Sequence, residues 1–289
     1  MTLRRSRGFY KRKGSKLNLK GILDNYESNI YRAYGFIDYF TSYNGPCIRV
    51  SSSEDTPILG SETDIGFING VINENELLDV ANGGSLYIHT FYDLSGNGRD
   101  SLASSVNNYR KRARIVNNGL LEKYNLKPSP FFQSPSIAYN FSSDMLPELT
   151  SSTIIYIHDL VRTLLHIKIG QPITSTKFGF VSESGSTNTT ISSTSILPGN
   201  TLRANKTSFS GSNRNDVHTF LTGKKIVSEF NFQISSGNTT GWHFANYGGA
   251  ANGNFLDGSL PVMLLWKSNL GTTIIDQIMD ILNDYYQVY

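Results

Sequence analysis

Ile226-Val227-Ser228-Glu229-Phe230-Asn231-Phe232-Gln233-Ile234 is the stretch that decides the fold. Phe230, Phe232 and Ile234 alternate with Glu229, Asn231 and Gln233. A period of two puts apolar groups on one face and polar groups on the other, as in a half-buried β-strand. On either side, short runs rich in β-branched and aromatic residues recur between turn residues. They are Pro46–Val50, Thr63–Ile68, Leu86–Tyr92, Ser136–Phe141, Thr153–His158, Leu164–Ile169, Lys177–Val181, Val217–Leu221, Lys225–Ile234, Trp242–Tyr247 and Pro261–Lys267. Many strands at short spacing with few helices predict a mainly β, antiparallel jelly-roll sandwich.

Three segments carry the helical period instead. Residues 26–43, within a 25–45 unit, place Ile30, Tyr31, Tyr34, Ile37 and Phe40 at helical spacing, and Asn44-Gly45-Pro46 stops the run. Phe36, Tyr39 and Phe40 add apolar groups on further sides, which suits a helix shared between copies in a homo-oligomer. Glu74–Asn82 ends at Gly83-Gly84. Thr272–Tyr285 aligns Ile275, Ile278, Leu282 and Tyr285, with Thr272 or Thr273 as the expected N-cap. The body is expected to span 46–289. The polar run 182–215 is expected to be a surface excursion or several weak strands.

The chain has 289 residues, 38% apolar and 17% charged, enough to bury a core. Its net charge of +3 is unevenly placed. Residues 1–20 carry eight basic side chains and no acid, whereas the remainder carries 18 basic and 23 acidic residues. Residues 1–24 therefore read as an extended basic arm. Its composition cannot bury enough apolar surface to order itself, so it is expected to dock on a partner, with Leu3, Phe9, Tyr10, Leu17 and Leu19 as anchors among the charges. Arg4, Arg5, Arg7, Lys11, Arg12 and Lys13 are the candidate attachment residues. An acidic protein partner, nucleic acid and a membrane surface are all open to such charge, nucleic acid being the weaker reading.

Several classes find no support. The one cysteine, Cys47, cannot form an intrachain disulfide. The longest apolar stretch, 154–169, is broken by Asp159, Arg162 and Lys168, so no membrane span is expected. The arm lacks the apolar run of a signal peptide. Without one, glycosylation is not expected at the Asn-x-Ser/Thr triplets that begin at Asn140, Asn188, Asn205 and Asn238. His89, His158, His166, His218 and His243 show no metal spacing, and no phosphate-binding glycine loop is present, so no metal and no cofactor are expected.

Three segments together resemble one family. They are Tyr43-Asn44-Gly45-Pro46-Cys47-Ile48-Arg49-Val50 with Asp64-Ile65-Gly66-Phe67; Tyr92-Asp93-Leu94-Ser95-Gly96-Asn97-Gly98-Arg99-Asp100 followed by Arg114-Ile115-Val116-Asn117-Asn118-Gly119; and the ending Asn283-Asp284-Tyr285-Tyr286-Gln287-Val288-Tyr289. The set resembles the concanavalin A-like (laminin-G-like) jelly-roll domains of bacteriophage tail, spike and head-fibre proteins. These are similar in turn to the catalytic domain of fungal arabinofuranosidase B. The resemblance covers roughly 28–140 and 260–289. It implies a virion structural protein, held to a capsid or tail by its arm and contributing to adhesion to host glycan. Its alternatives are an arabinofuranosidase-like glycoside hydrolase and a free lectin-like domain.

Asp93 and Asn97 are candidate sugar ligands, although a tight turn needs the same residue types. Trp242 and Tyr247, beside Asn246 and Gly248-Gly249, could stack on sugar, or they could belong to a core strand and its hairpin. A retaining glycosidase needs two carboxylates about 5–5.5 Å apart. Glu148, Glu183, Asp216, Glu229 and Asp257 are the later acids, and none sits in the family's local pattern. The adjacent cysteines of the fungal sugar pocket are missing too. The expectation is therefore binding without hydrolysis: not an enzyme, and no catalytic residue.

Overall fold

A computed structural model describes residues 19–54, 61–103, 112–132, 139–141, 149–160, 164–165, 182–183, 185, 187, 202–234, 243–244 and 258–289. Among these the chain is mainly β, with three α-helices: α1 (Glu74–Ala81), α2 (Arg214–Leu221) and α3 (Gly271–Tyr286). Fifteen strands share one strongly bent sheet. One half contains the long strands Leu149–Leu160, Gly223–Ile234 and Gly258–Trp266, with Leu202–Ala204 and Ile30–Gly35 beside them. The other half contains Ile48–Ser51, Glu62–Ile65, Leu86–Phe91, Ser101–Ala103 and Arg114–Asn117. Phe131–Phe132 joins the halves, pairing with both Gly258–Trp266 and Arg114–Asn117. Every pairing in the sheet is antiparallel, the predicted sandwich.

Two apolar cores follow from the period-two alternation of the long strands. Ile154, Tyr156, Val227, Met263 and Leu265 face inward, into the core between the halves, together with Ile48, Val50, Ile88 and Phe91. Ile155, Ile157, Ile226, Val262, Leu264 and Trp266 face outward, where α3 covers them with Ile275, Ile278, Met279 and Leu282. Each such buried side chain contributes about 1.5–3 kcal/mol, so α3 is bound to the sheet rather than merely adjacent to it. Covered on both faces, Gly258–Trp266 is buried at all nine positions.

The expected helix over 26–43 is corrected. Only Asp24–Tyr26 makes a 3-10 turn, and Ile30–Gly35 is a strand paired with Gly258–Trp266. All six of its residues are buried, because the inner core takes one face and the α3 core the other. Apolar groups on every side, which suggested a shared helix, are the pattern of a strand buried on both faces. That premise for a homo-oligomer is withdrawn.

Val217–Leu221, expected as a strand, lies in α2. Asn213 caps the helix: its side chain accepts from Asp216 N, while the Asp216 carboxylate accepts from Asn213 N. Val217 and Leu221 then fall one turn apart and both are buried. The start of α3 is also corrected. No threonine caps it; Asn269 Oδ1 accepts from Gly271 N, and Leu270 N donates to Thr153 Oγ1. At its other end Asn283 Oδ1 accepts from Val288 N and Tyr289 N, fastening the final residues. The expected strand Lys177–Val181 and most of Leu164–Ile169 lie outside the described residues.

Candidate functional site

The cross-strand register places Arg32, Leu265, Ile154, Glu229 and Leu202 in one row across the inner face of the long-stranded half. Tyr34, Met263, Tyr156, Val227 and Ala204 form the next row, and His158 follows Tyr156 along its own strand. Most of these residues are apolar. Glu229, Tyr156 and His158 form a polar line set among them.

Glu229 is 3% exposed. The Tyr156 hydroxyl donates to its Oε1 at 3.0 Å, and its Oε2 has no hydrogen-bond partner among the described residues. Burial raises its pKa from 4.5 to about 8, against the opposing pull of the Tyr156 hydrogen bond. Desolvation disfavours the charged carboxylate, so the group is a neutral acid at pH 7. The Tyr156 ring lies 5.7 Å from that of His158, centre to centre. His158 Nε2 meets the Leu221 carbonyl at 3.0 Å, at the end of α2, and Nδ1 has no partner among the described residues. Its pKa is lowered to about 3, chiefly by burial, which makes it a neutral imidazole that donates Nε2–H to that carbonyl. Glu229 is thus a protonated carboxyl within the inner core, oriented by the Tyr156 hydroxyl. A carboxyl kept protonated at neutral pH is the state required of a general acid.

Other acids noted in the sequence have different situations. Asp216 serves the α2 cap and is held below its ordinary pKa by the Ser212 and Asn213 backbone N–H groups. Glu148 and Asp257 lie outside the described residues. For Glu183 the strand is described, but not the side chain. The described residues therefore present one carboxyl at this site and no group of three or more acids, histidines or cysteines that could hold a metal ion. Sequence reasoning noted Glu229 only as a late acid. The missed signal was that Glu229 continues, in register, the buried alternation of Val227 and has the apolar Ile154 and Leu202 as its cross-strand partners.

Asp93 is 2% exposed. Its Oδ1 accepts from Ala33 N at 2.9 Å, Ser95 N at 3.1 Å and Ser95 Oγ at 2.7 Å, and its Oδ2 accepts from Arg99 N at 3.1 Å. These bonds tie the Ser-Gly-Asn-Gly turn to the Ile30–Gly35 strand and leave no open face on the carboxylate. The turn reading of Asp93 is the one its geometry carries. Asn97 is exposed, but its amide donates to the Ile30 and Tyr31 carbonyls and to Ser95 Oγ. Gly96 and Gly98 have φ of 75° and 68°, the left-handed region that glycine adopts without strain. Trp242, Tyr247 and the attachment residues Arg4, Arg5, Arg7, Lys11, Arg12 and Lys13 lie outside the described residues.

No protein-family model matches the chain, and no curated protein matches it. Three solved structures do. A GH54 α-L-arabinofuranosidase soaked with a cyclic sulfate inhibitor gives a TM-score of 0.51 at 12% identity. A mutant GH54 α-L-arabinofuranosidase soaked with 4-nitrophenyl α-L-arabinofuranoside gives 0.53 at 11%. An arabinofuranosidase complexed with arabinofuranosyl-α-1,2-xylobiose gives 0.54 at 11%. Each match covers 91% of this chain but only 64% of the other, so the chain spans less than two thirds of their length. At such identity the likeness establishes the fold. The expectation that the protein is not an enzyme is corrected, because each of the three structures sharing its fold is a glycoside hydrolase. None of the three is a virion protein, so the phage resemblance rests on the sequence motifs alone.

Proposed function

We propose that the protein acts on carbohydrate, with Glu229 as the proton donor to a glycosidic oxygen. The observation that carries this reading is the neutral, buried Glu229 carboxyl beside Tyr156, on the inner face of the long-stranded half. Burying an acid with one hydrogen bond costs stability, and such a cost is commonly met where a perturbed group has work to do. The fold shared with arabinofuranosidases supports a glycan as the substrate class. Arabinofuranosides are the first substrates to try. The test is incubation of the protein and of Glu229→Gln with a panel of aryl glycosides and plant and bacterial polysaccharides, alongside a glycan-binding array. The proposal expects turnover by the protein, and by Glu229→Gln glycan binding with little or no turnover. Absence of both binding and turnover for every glycan would remove it.

A second reading concerns location and partners. The root of the basic arm is clamped to the body: Leu19 N donates to the Asn69 carbonyl, and Lys20 Nζ pairs with Asp38 at 3.4 Å. Leu19 and Lys20 are therefore fixed on the body. This favours the arm as a tether to another protein, and in the phage reading that protein belongs to the capsid or tail of a virion whose body reaches host glycan. Co-purification of the full chain, but not of a 19–289 chain, with assembled particles is the expected outcome.

A further inference from the structure

We propose that Arg99 and Lys267, gathered at the ring of Tyr31, form an oxyanion-binding site, and that the oxyanion it takes is the carboxylate of a uronic-acid sugar. The choice of a saccharide rests on the proposed function; the oxyanion chemistry does not.

Tyr31 sits at an irregularity in the Ile30–Gly35 strand, where the register slips between Ile30 and Arg32. Its ring is 1% exposed and is surrounded by cations. The Arg99 guanidinium carbon lies 4.2 Å from the ring centre, Lys267 Nζ 4.9 Å and the Arg32 guanidinium carbon 5.5 Å. Arg32 is engaged with Tyr34 Oη and the Arg99 carbonyl. Arg99 and Lys267 are not so engaged: among the described residues neither side chain has a carboxylate within ion-pair distance, and Arg99 Nε is shielded from water without a partner. The nearby acids are spent on backbone donors. Asp93 holds Ala33, Ser95 and Arg99 N–H, and Asp100 Oδ1 accepts from Asp93 N.

Each cation–π contact is worth about 0.5–2 kcal/mol. An anion bound beside the Tyr31 ring would be attracted by both head groups and could supply the partner that Arg99 Nε lacks among the described residues. A guanidinium fork matches a carboxylate in two parallel hydrogen bonds. The loop above is pinned by the Asn97 amide, so Arg99 is held in place before any ligand arrives. Gly96 and Gly98 have open space where a side chain would stand, which leaves room for a sugar ring.

Calorimetric titration with tri-galacturonate, its methyl ester and sodium sulfate, on the full chain and on the Arg99→Gln/Lys267→Gln double variant, tests this. The expected result is binding of tri-galacturonate at least tenfold tighter than of its ester, with that preference lost in the double variant while its melting temperature is kept. Arg99→Lys should recover part of it. Sulfate binding that disappears in the double variant, with no oligosaccharide bound, would uphold the oxyanion site and overturn its assignment to a sugar. Equal affinity for acid and ester, acid binding unchanged in the double variant, or no binding of tri-galacturonate or sulfate would overturn the proposal.

Discussion

Glu229 and His158 titrate in opposite senses, and their sum gives the chain a pH signature. Between pH 4.5 and about 8 the native chain keeps a Glu229 proton that the unfolded chain has released, so stability falls as pH rises through that window. Between pH 6.5 and about 3 the unfolded chain protonates His158 while the native chain does not, so stability falls as pH drops through that window. Each slope is about 1.4 kcal/mol per pH unit. The contributions of these two groups cancel from 4.5 to 6.5, with losses from Glu229 above that range and from His158 below it. Thermal unfolding from pH 3 to 9 should show these losses; Glu229→Gln should abolish the decline between 6.5 and 8, and His158→Gln the acid decline between 4.5 and 3. A native chain whose alkaline decline persists in Glu229→Gln would place the titrating group elsewhere. Asp93 is a different case. Asp93→Ala leaves four donors without their acceptor, each costing about 1–3 kcal/mol, so it is expected to lower the melting temperature sharply or prevent folding. Asp93 was legible as a turn residue because Ser95 and Arg99, which supply three of its four donors, lie within six positions. Glu229 was not legible as a site residue, since its partners come from strands distant in sequence.

At the scale of elements, legibility followed burial on one face. The helix α3 has one apolar side against a core, so its period survives in the sequence, whereas Gly223–Ile234 turns Ile226 to the outer core and Val227 to the inner one and buries Glu229 on the inner side, against the half-buried strand that its alternation predicted. Ile30–Gly35 is buried on both faces, and the period that would mark it as a strand is erased. Residues 213–221 failed for another reason. Val217 and Leu221 fit a five-residue strand as well as a helix turn, and the deciding feature was the reciprocal Asn213–Asp216 cap upstream. Removing that cap with Asn213→Ala should cost about 1 kcal/mol, read as a drop in melting temperature. Because the end of α2 supplies the carbonyl that meets His158, the same variant should also weaken protection of the α2 amides from hydrogen exchange. In α3, Leu282→Ala should cost about 2–5 kcal/mol, since the side chain is fully buried against the sheet. An unchanged melting temperature in Leu282→Ala would show that α3 is not seated on the outer face.

For the whole molecule, the sandwich class was legible because strand-like segments recur between turn signals over most of the chain. The bend that brings both halves onto one inner core was not, since it depends on the two-residue strand Phe131–Phe132. The sequence of the basic arm carries charge and little core pattern. Removing residues 1–18 is expected to leave the melting temperature of the body unchanged and to end its association with partners at physiological salt. The account as a whole turns on one acid on the inner face of a glycosidase-like sandwich. Its most direct test is the pH–rate profile for hydrolysis of 4-nitrophenyl α-L-arabinofuranoside by the full chain and by Glu229→Gln. General-acid catalysis is worth about 10²–10⁴-fold, so the account predicts turnover that declines as pH rises through about 8, and a rate lower by that factor in Glu229→Gln. Equal rates in the two proteins, or no turnover of this substrate or any other glycoside, would contradict it.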